Sequence, residues 1–508
     1  MSRSILLRGF ILIVILISFF GILDTGALAQ TLLDWAIAKP IPFYDDILPP
    51  ILIADQNRTV HAFNDEPLVD GRQAIFYRTW NLYTGWSQPV DVIIPEPTTG
   101  HPLQGVALDE TYTFHVMYYI GSEFRGDLYY SRARASEAAR ASAWSSPRLV
   151  AEGAYPLPDA TMIGDGGDNL YIVYTGVKDG VGVYEVHSTD GGNTWSEPTS
   201  VFRISISDTI PFHIELSLDK NGNLHAVWSI VGESGLGQAV YYARRDKETG
   251  SWNQPYRIAA AEGNDYAADW ATLIEYDDSL ILMYMDGTIP NGIPPTRWMR
   301  RSYDNGDNWD EPVRPFPQVG ENGFAIMLID SSNILHIILA NRVGDPAIGG
   351  MWHGVWLGNQ WSDLELITAR SPEEAISTGS YVDVQAAHLP AAVISQGNVI
   401  LTAWWHNIPE APPAGFAYAI LDSPELPLVP LPTTSPRLTP DTSVTDTRPV
   451  ENLSATQLAD ADFNQSADFP KQKAQITGPS TLMLLGILPA VLVVILFITL
   501  RYLLRRNQ

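Results

Sequence analysis

Four carboxylates, Asp159, Glu215, Asp269 and Asp383, are the groups in this chain with which a glycosidic bond could be cleaved. Such cleavage uses two opposed carboxyl groups, about 5 to 5.5 Å apart for retention or about 6.5 to 9.5 Å apart for inversion. Arg125, His213, Arg342, Trp405 and His406 are the matching ligand-binding candidates. Guanidinium and imidazole groups grip hydroxyls or carboxylates, and an indole face stacks on a sugar ring. For each acid the competing role is a solvated loop charge or a turn cap.

These residues become candidates because of where they fall in a repeat. DKNGNLHAVW at 219–228 has relatives beginning at 55, 109, 165, 276, 330 and 395. Aligned on His61, His115, Tyr171, His225, Ile281, His336 and Ile400, the steps are 54, 56, 54, 56, 55 and 64 residues. Each unit is a polar turn feeding a run rich in β-branched and aromatic residues, and a second such run follows, which is a pair of strands. A tryptophan comes next in most units, at Trp86, Trp144, Trp195, Trp252, Trp309 and Trp361. The last unit lacks one. DWAIAKPIPF at 34–43 resembles WNQPYRIAAAEG at 252–263, so Trp35 is expected to complete the last sheet from the front of the chain. The expected fold is therefore all-β: a β-propeller, seven-bladed with six blades as the alternative, closed by an N-terminal outer strand.

Loops entering each innermost strand carry Asp45, Asp46, His101, Asp159, His213, Glu215, Asp269, Glu321 and Asp383. Loops after each second strand carry Arg125, Lys178, Glu233, Asp286, Arg342, Trp405 and His406. Both sets belong to one end of the sheets, where a rigid scaffold presents recognition loops. The recurrent His61, His115, His225 and His336 are read as packing residues, since equivalent positions in separate blades are spread around a ring and Tyr171, Ile281 and Ile400 occupy three of them. No metal and no cofactor is expected.

STDGGNTW at 188–195 and SYDNGDNW at 302–309 share the formula Ser-x-Asp-x-Gly-x-x-Trp at matching repeat phase. Ser188, Asp190, Gly192 and Trp195, like Ser302, Asp304, Gly306 and Trp309, have the chemistry of a capped turn with an indole to pack. The formula resembles the Asp-box, or BNR, repeat of the sialidase-like propeller superfamily, over residues 34 to about 421. RRDKETGSW at 244–252 is a looser version. The resemblance implies that these turns are structural and lie away from the ligand face. It also implies an enzyme signature that this chain lacks in part: the segment corresponding to the family's first arginine, IPFYDDILPP at 41–50, contains no arginine, and FRIS at 202–205 lies in an outer-strand context.

Of 508 residues, 31 are Lys or Arg, 57 are Asp or Glu and none is Cys, for a formal charge of -26. That excludes disulfides, thiolate metal sites and a thiol nucleophile, and argues against nucleic acid as a partner. Residues 1–29, with Arg3 and Arg8 before an apolar run and Ala27 and Ala29 near its end, read as a signal peptide. Residues 30–423 form the propeller, 424–480 a Pro/Ser/Thr/Asp-rich disordered stalk, 481–500 an uncharged transmembrane helix and 501–508 a basic cytoplasmic tail. The expected protein is anchored in the cell membrane by one pass, displays its propeller outside, and binds a glycan or an exported protein. A sialidase-like glycoside hydrolase acting on extracellular glycans is the alternative, and a structural surface-assembly protein the second alternative.

Overall fold

The computed structural model describes residues 33–429, interrupted at 47, 97–100, 122–125, 156–158, 206–208, 234, 263–265, 289–295, 318–323, 342–349, 368–386 and 407–412. The expected signal peptide, most of the stalk, the spanning segment and the tail lie outside the described residues. Among the described residues no helix is long and apolar enough to cross a membrane. Contacts divide the chain into Met1–Leu438 and Thr439–Gln508, and the second unit lies wholly outside what is described.

The described chain is almost entirely antiparallel strand, laid down as successive meanders. Ile51–Ala54, Val60–Pro67 and Gln73–Asn81 pair in order, and Val90–Ile93 returns along the third. Leu103–Leu108, Thr113–Gly121, Gly126–Arg134 and Arg148–Ala154 repeat the pattern. So do Ala160–Gly164 through Thr199–Arg203, and Thr209–Leu218 through Tyr256–Ala260. Tyr266–Tyr276, Ser279–Thr288 and Thr296–Ser302 follow, with a fourth edge reduced to a bridge between Met299 and Val313. Ile326–Ile329 through Glu365–Leu366 form the next, and Ala387–Ser395, Val399–His406 and Ala414–Ile420 the last. Second strands such as Leu170–Gly176 are buried along their whole length, because neighbouring sheets cover both faces.

The strand that finishes the last sheet is Lys39–Pro40, pairing Lys39 with Phe416 and Pro40 with Gly415. Ala36 N–H adds a bond to the Tyr418 carbonyl, 2.8 Å away. Trp35 packs with Ile400, Trp404, Ala417 and Ala419, so the two ends of the folded part share one core. The segment after the last strand stays in contact: Leu426 N–H donates to Gln396 O and Val429 N–H to Gln56 O, so hydrogen bonds to the body continue beyond 423.

The recurrent histidines knit each sheet to its own turn. His61 bridges Tyr77 Oη (2.8 Å) and Asp55, His115 bridges Tyr130 (2.6 Å) and Asp109, and His225 bridges Tyr242 (2.8 Å) and Asp219. In the fourth copy His336 contacts Asp330 and the ring of His353, which in turn meets Glu365. These buried imidazoles are satisfied by hydrogen bonds inside their own sheets.

The two Ser-x-Asp-x-Gly turns lock onto that relay from the neighbouring meander. Ser188 Oγ accepts Gly192 N–H, Asp190 accepts Thr194 N–H, and Trp195 meets Tyr130 edge-on at 5.3 Å. Ser302 Oγ likewise accepts Gly306 N–H, Asp304 accepts Asn308 N–H, and Trp309 meets Tyr242 at 5.1 Å. Trp35 approaches the ring of His353 edge-on at 5.6 Å, and its indole N–H donates to Glu365. It takes, against the last relay, the place that Trp195 and Trp309 take against theirs.

Candidate functional site

The innermost strand Thr209–Leu218 ends at the Asp219 turn, and its other half carries His213. Pairing with Leu224–Gly232 shifts register between Phe212 and Glu215, and the innermost strand Tyr266–Tyr276 shifts likewise between Asp269 and Thr272. His213 and Trp270 occupy these bulges with φ of 55° and 52°. Positive φ is costly for such residues and is found where a side chain must be re-aimed. Leu389, at φ 45°, sits in the same kind of shift, between His388 and Ala391.

The two bulges bring their side chains together. The His213 ring stacks on Trp270 with centroids 3.4 Å apart, and Phe324 meets Trp270 edge-on at 4.9 Å. His213 Nδ1–H donates to Asp269 Oδ1 at 2.7 Å, and the same oxygen accepts Trp270 N–H at 2.7 Å. This pairing fixes the ring orientation, and in the neutral imidazole it leaves Nε2 as the acceptor. Beneath the platform, buried Arg297 donates to the Trp270 carbonyl at 2.6 Å and holds the bulge in shape.

Two more carboxyls belong to this cluster. Asp159 Oδ1 accepts Ile214 N–H at 3.0 Å, while its Oδ2 is sealed from solvent without a hydrogen-bond partner. Burial holds the Asp159 carboxyl well above the ordinary aspartate range, and the charges of Glu215 and Asp269 add to the effect. Burial alone pushes Glu215 up to about 7. The assembly offers an oriented imidazole, two carboxyls whose burial favours the protonated form, and an aromatic surface.

A second group forms where the first sheets meet. Asp46 and Asp65 are buried, and half-exposed His101 places Nδ1 3.5 Å from Asp46 Oδ1 and 3.9 Å from Asp65 Oδ2. Asp65 N–H donates to Asp46 Oδ2, and the Asp65 carboxylate accepts Leu103 N–H at 3.1 Å.

Of the residues singled out in the sequence, Asp159, His213, Glu215 and Asp269 therefore share one cluster, and Asp46 and His101 another. Asp45, Lys178 and Glu233 are exposed. Asp286 is partly buried and pushed up to about 6 by that burial. Trp405 is half-buried in its strand, opposite His388 and Ala414. The backbone of His406 ends the same strand. Arg125, Glu321, Arg342 and Asp383 lie outside the described residues. The residues that sequence reasoning missed are Trp270, Phe324, Arg297 and Asp65. Trp270 becomes visible only once the two bulges are superposed, which sets Asp269-Trp270 against Phe212-His213.

No family model matches the chain, and no curated protein matches it. Solved structures do. A PL25 ulvan lyase bound to -[GlcA(1-4)Rha3S]- is similar with a TM-score of 0.50 at 13% identity, covering 77% of this chain and 95% of its own. The polysaccharide lyase Uly1 is similar with a TM-score of 0.50 at 12% identity, covering 78% of this chain and 94% of its own. The NanB sialidase of Streptococcus pneumoniae is more remote, with a TM-score of 0.39 at 12% identity over 77% of this chain and 70% of its own. Together with the successive meanders, the likeness to the lyases identifies the fold as an all-β, propeller-like one.

Proposed function

We propose that this chain is a seven-bladed propeller of the sialidase-like kind, exported and held at the cell surface by residues 481–500, whose bulged innermost strands bind a glycan. The observation that carries the reading is the His213–Trp270 stack, flanked by Phe324 and pinned by Asp269. A half-buried ring surface beside proton donors and acceptors suits a pyranose, which presents apolar C–H faces and a rim of hydroxyls. The lyases that share this fold act on polysaccharides by name, which is consistent with such a ligand. The Ser-x-Asp-x-Gly turns belong to the opposite end of the sheets and serve as Asp-boxes, packing blade to blade.

The test is binding of the full-length chain, in detergent, to an array of neutral and acidic polysaccharide fragments. Trp270→Ala is expected to weaken any hit at least about tenfold. Unchanged binding in that variant would move the ligand elsewhere, and binding of exported proteins in place of glycans would replace the reading. A glycoside hydrolase is the second reading, favoured by the raised Glu215 and Asp159 carboxyls as proton donors to a leaving group. It requires turnover of an aryl glycoside that Glu215→Gln abolishes.

A further inference from the structure

We infer that Asp46, Asp65 and His101 form a binding site for one divalent transition-metal cation. Their three ligand atoms all lie within 4.8 Å of one another. The imidazole nitrogen stands 3.5 and 3.9 Å from its two carboxylate neighbours, beyond hydrogen-bonding range. Nδ1 is also buried and without a hydrogen-bond partner, although the ring edge reaches solvent. Ligands around a cation with bonds of about 2.1 Å stand about 3 to 3.4 Å apart, so small side-chain rotations would close the set on one ion.

The charge around the cluster points the same way. Among the described residues, Asp65 meets one backbone amide and no cationic side chain nearer than His101. Asp46 and Asp65 set two buried carboxyls side by side, a crowding of like groups that a dication would relieve. The nearby guanidinium of Arg78 is committed to Glu66 and to the Pro42 carbonyl. The Tyr44 hydroxyl donates to Leu48 O.

The donor set selects the metal. One imidazole nitrogen with two carboxylates suits Zn2+ or Mn2+, whereas Ca2+ and Mg2+ prefer oxygen ligands throughout. Asp46 follows the closing strand Lys39–Pro40, Asp65 lies in Val60–Pro67, and His101 precedes Leu103–Leu108. One ion would therefore tie the start of the folded chain to two further sheets.

The test uses the full-length chain in detergent, stripped with chelator and titrated calorimetrically with Zn2+, with Ca2+ as comparison. Saturable uptake of one equivalent of Zn2+ and a melting temperature higher by several degrees are expected. His101→Gln and Asp65→Asn should each bind at least tenfold more weakly. With Mn2+, pulsed electron paramagnetic resonance should show coupling to one nitrogen that disappears in His101→Gln. Because His101 is partly exposed, that variant remains informative even where Asp65→Asn fails to fold. Absence of one-equivalent binding, unchanged affinity in His101→Gln, or bound Mn2+ without nitrogen coupling would each overturn the assignment.

Discussion

Glu215 illustrates how position sets the chemistry of a residue. Its carboxyl goes from 4.5 in the open chain to about 7 in the fold because burial disfavours the anion. The folded state therefore keeps a proton that the unfolded state releases, and stability falls as pH rises from about 4.5 to about 7, by about 3 kcal/mol at most. Glu215→Gln should flatten that segment of a plot of urea midpoint against pH; an unchanged slope would assign it to another group. Asp269 acts on a single proton. In Asp269→Asn the amide no longer requires a donor from Nδ1, and 15N spectra of histidine-labelled protein should show His213 shifting toward the other tautomer. Asp159 and Asp269 were legible in the sequence because the repeat phases them with His213, each 12 residues before the aligned position of its unit, and Glu215 because it lies two residues beyond His213. Trp270 was not, because aromatic residues fill these strands as core, and the bulge that re-aims this one is a backbone event with no letter of its own.

The Ser-x-Asp-x-Gly turns show the opposite balance. Their spacing announced a capped turn, and the hydrogen bonds from Ser188, Asp190, Ser302 and Asp304 follow that spacing. What the spacing did not disclose is their counterpart, a Tyr–His–Asp relay on the neighbouring meander: Tyr130 Oη donates to Gly191 O, and Tyr242 Oη to Asn305 O. Gly306 adopts φ +87°, and a methyl group there would collide with Tyr242. Gly306→Ala should therefore cost more than about 2 kcal/mol in denaturant unfolding. Gly71, also at φ +87° but with nothing nearby, should lose only about 1 kcal/mol on the same change. Equal losses would mean that backbone strain, not the collision, governs both.

At the scale of the molecule, the closing strand was readable because DWAIAKPIPF repeats the offset of WNQPYRIA: Trp252 precedes the strand at Tyr256 by four residues, as Trp35 precedes the one at Lys39. The outer edge of the folded body was less readable, since Ser423 to Val429 has no strand pattern and is held by scattered bonds to the Asp330, Gln396 and Gln56 turns. Trp35→Ala removes a half-buried indole from the last core and should cost about 2 to 3 kcal/mol. Deleting residues 30–41 also strips the hydrogen-bond partner from Ala414–Ile420, and the bared edge should drive association visible by light scattering. A variant that stays monodisperse would show that this edge is protected by something else. Because the first and last strands are neighbours, the order in which the sheets appear along the chain is arbitrary to the folded body. A circular permutant that links the region of Trp35 to that of Leu421 and opens at the exposed turn around Gly71 would keep every sheet, but its new termini would meet at a different hairpin.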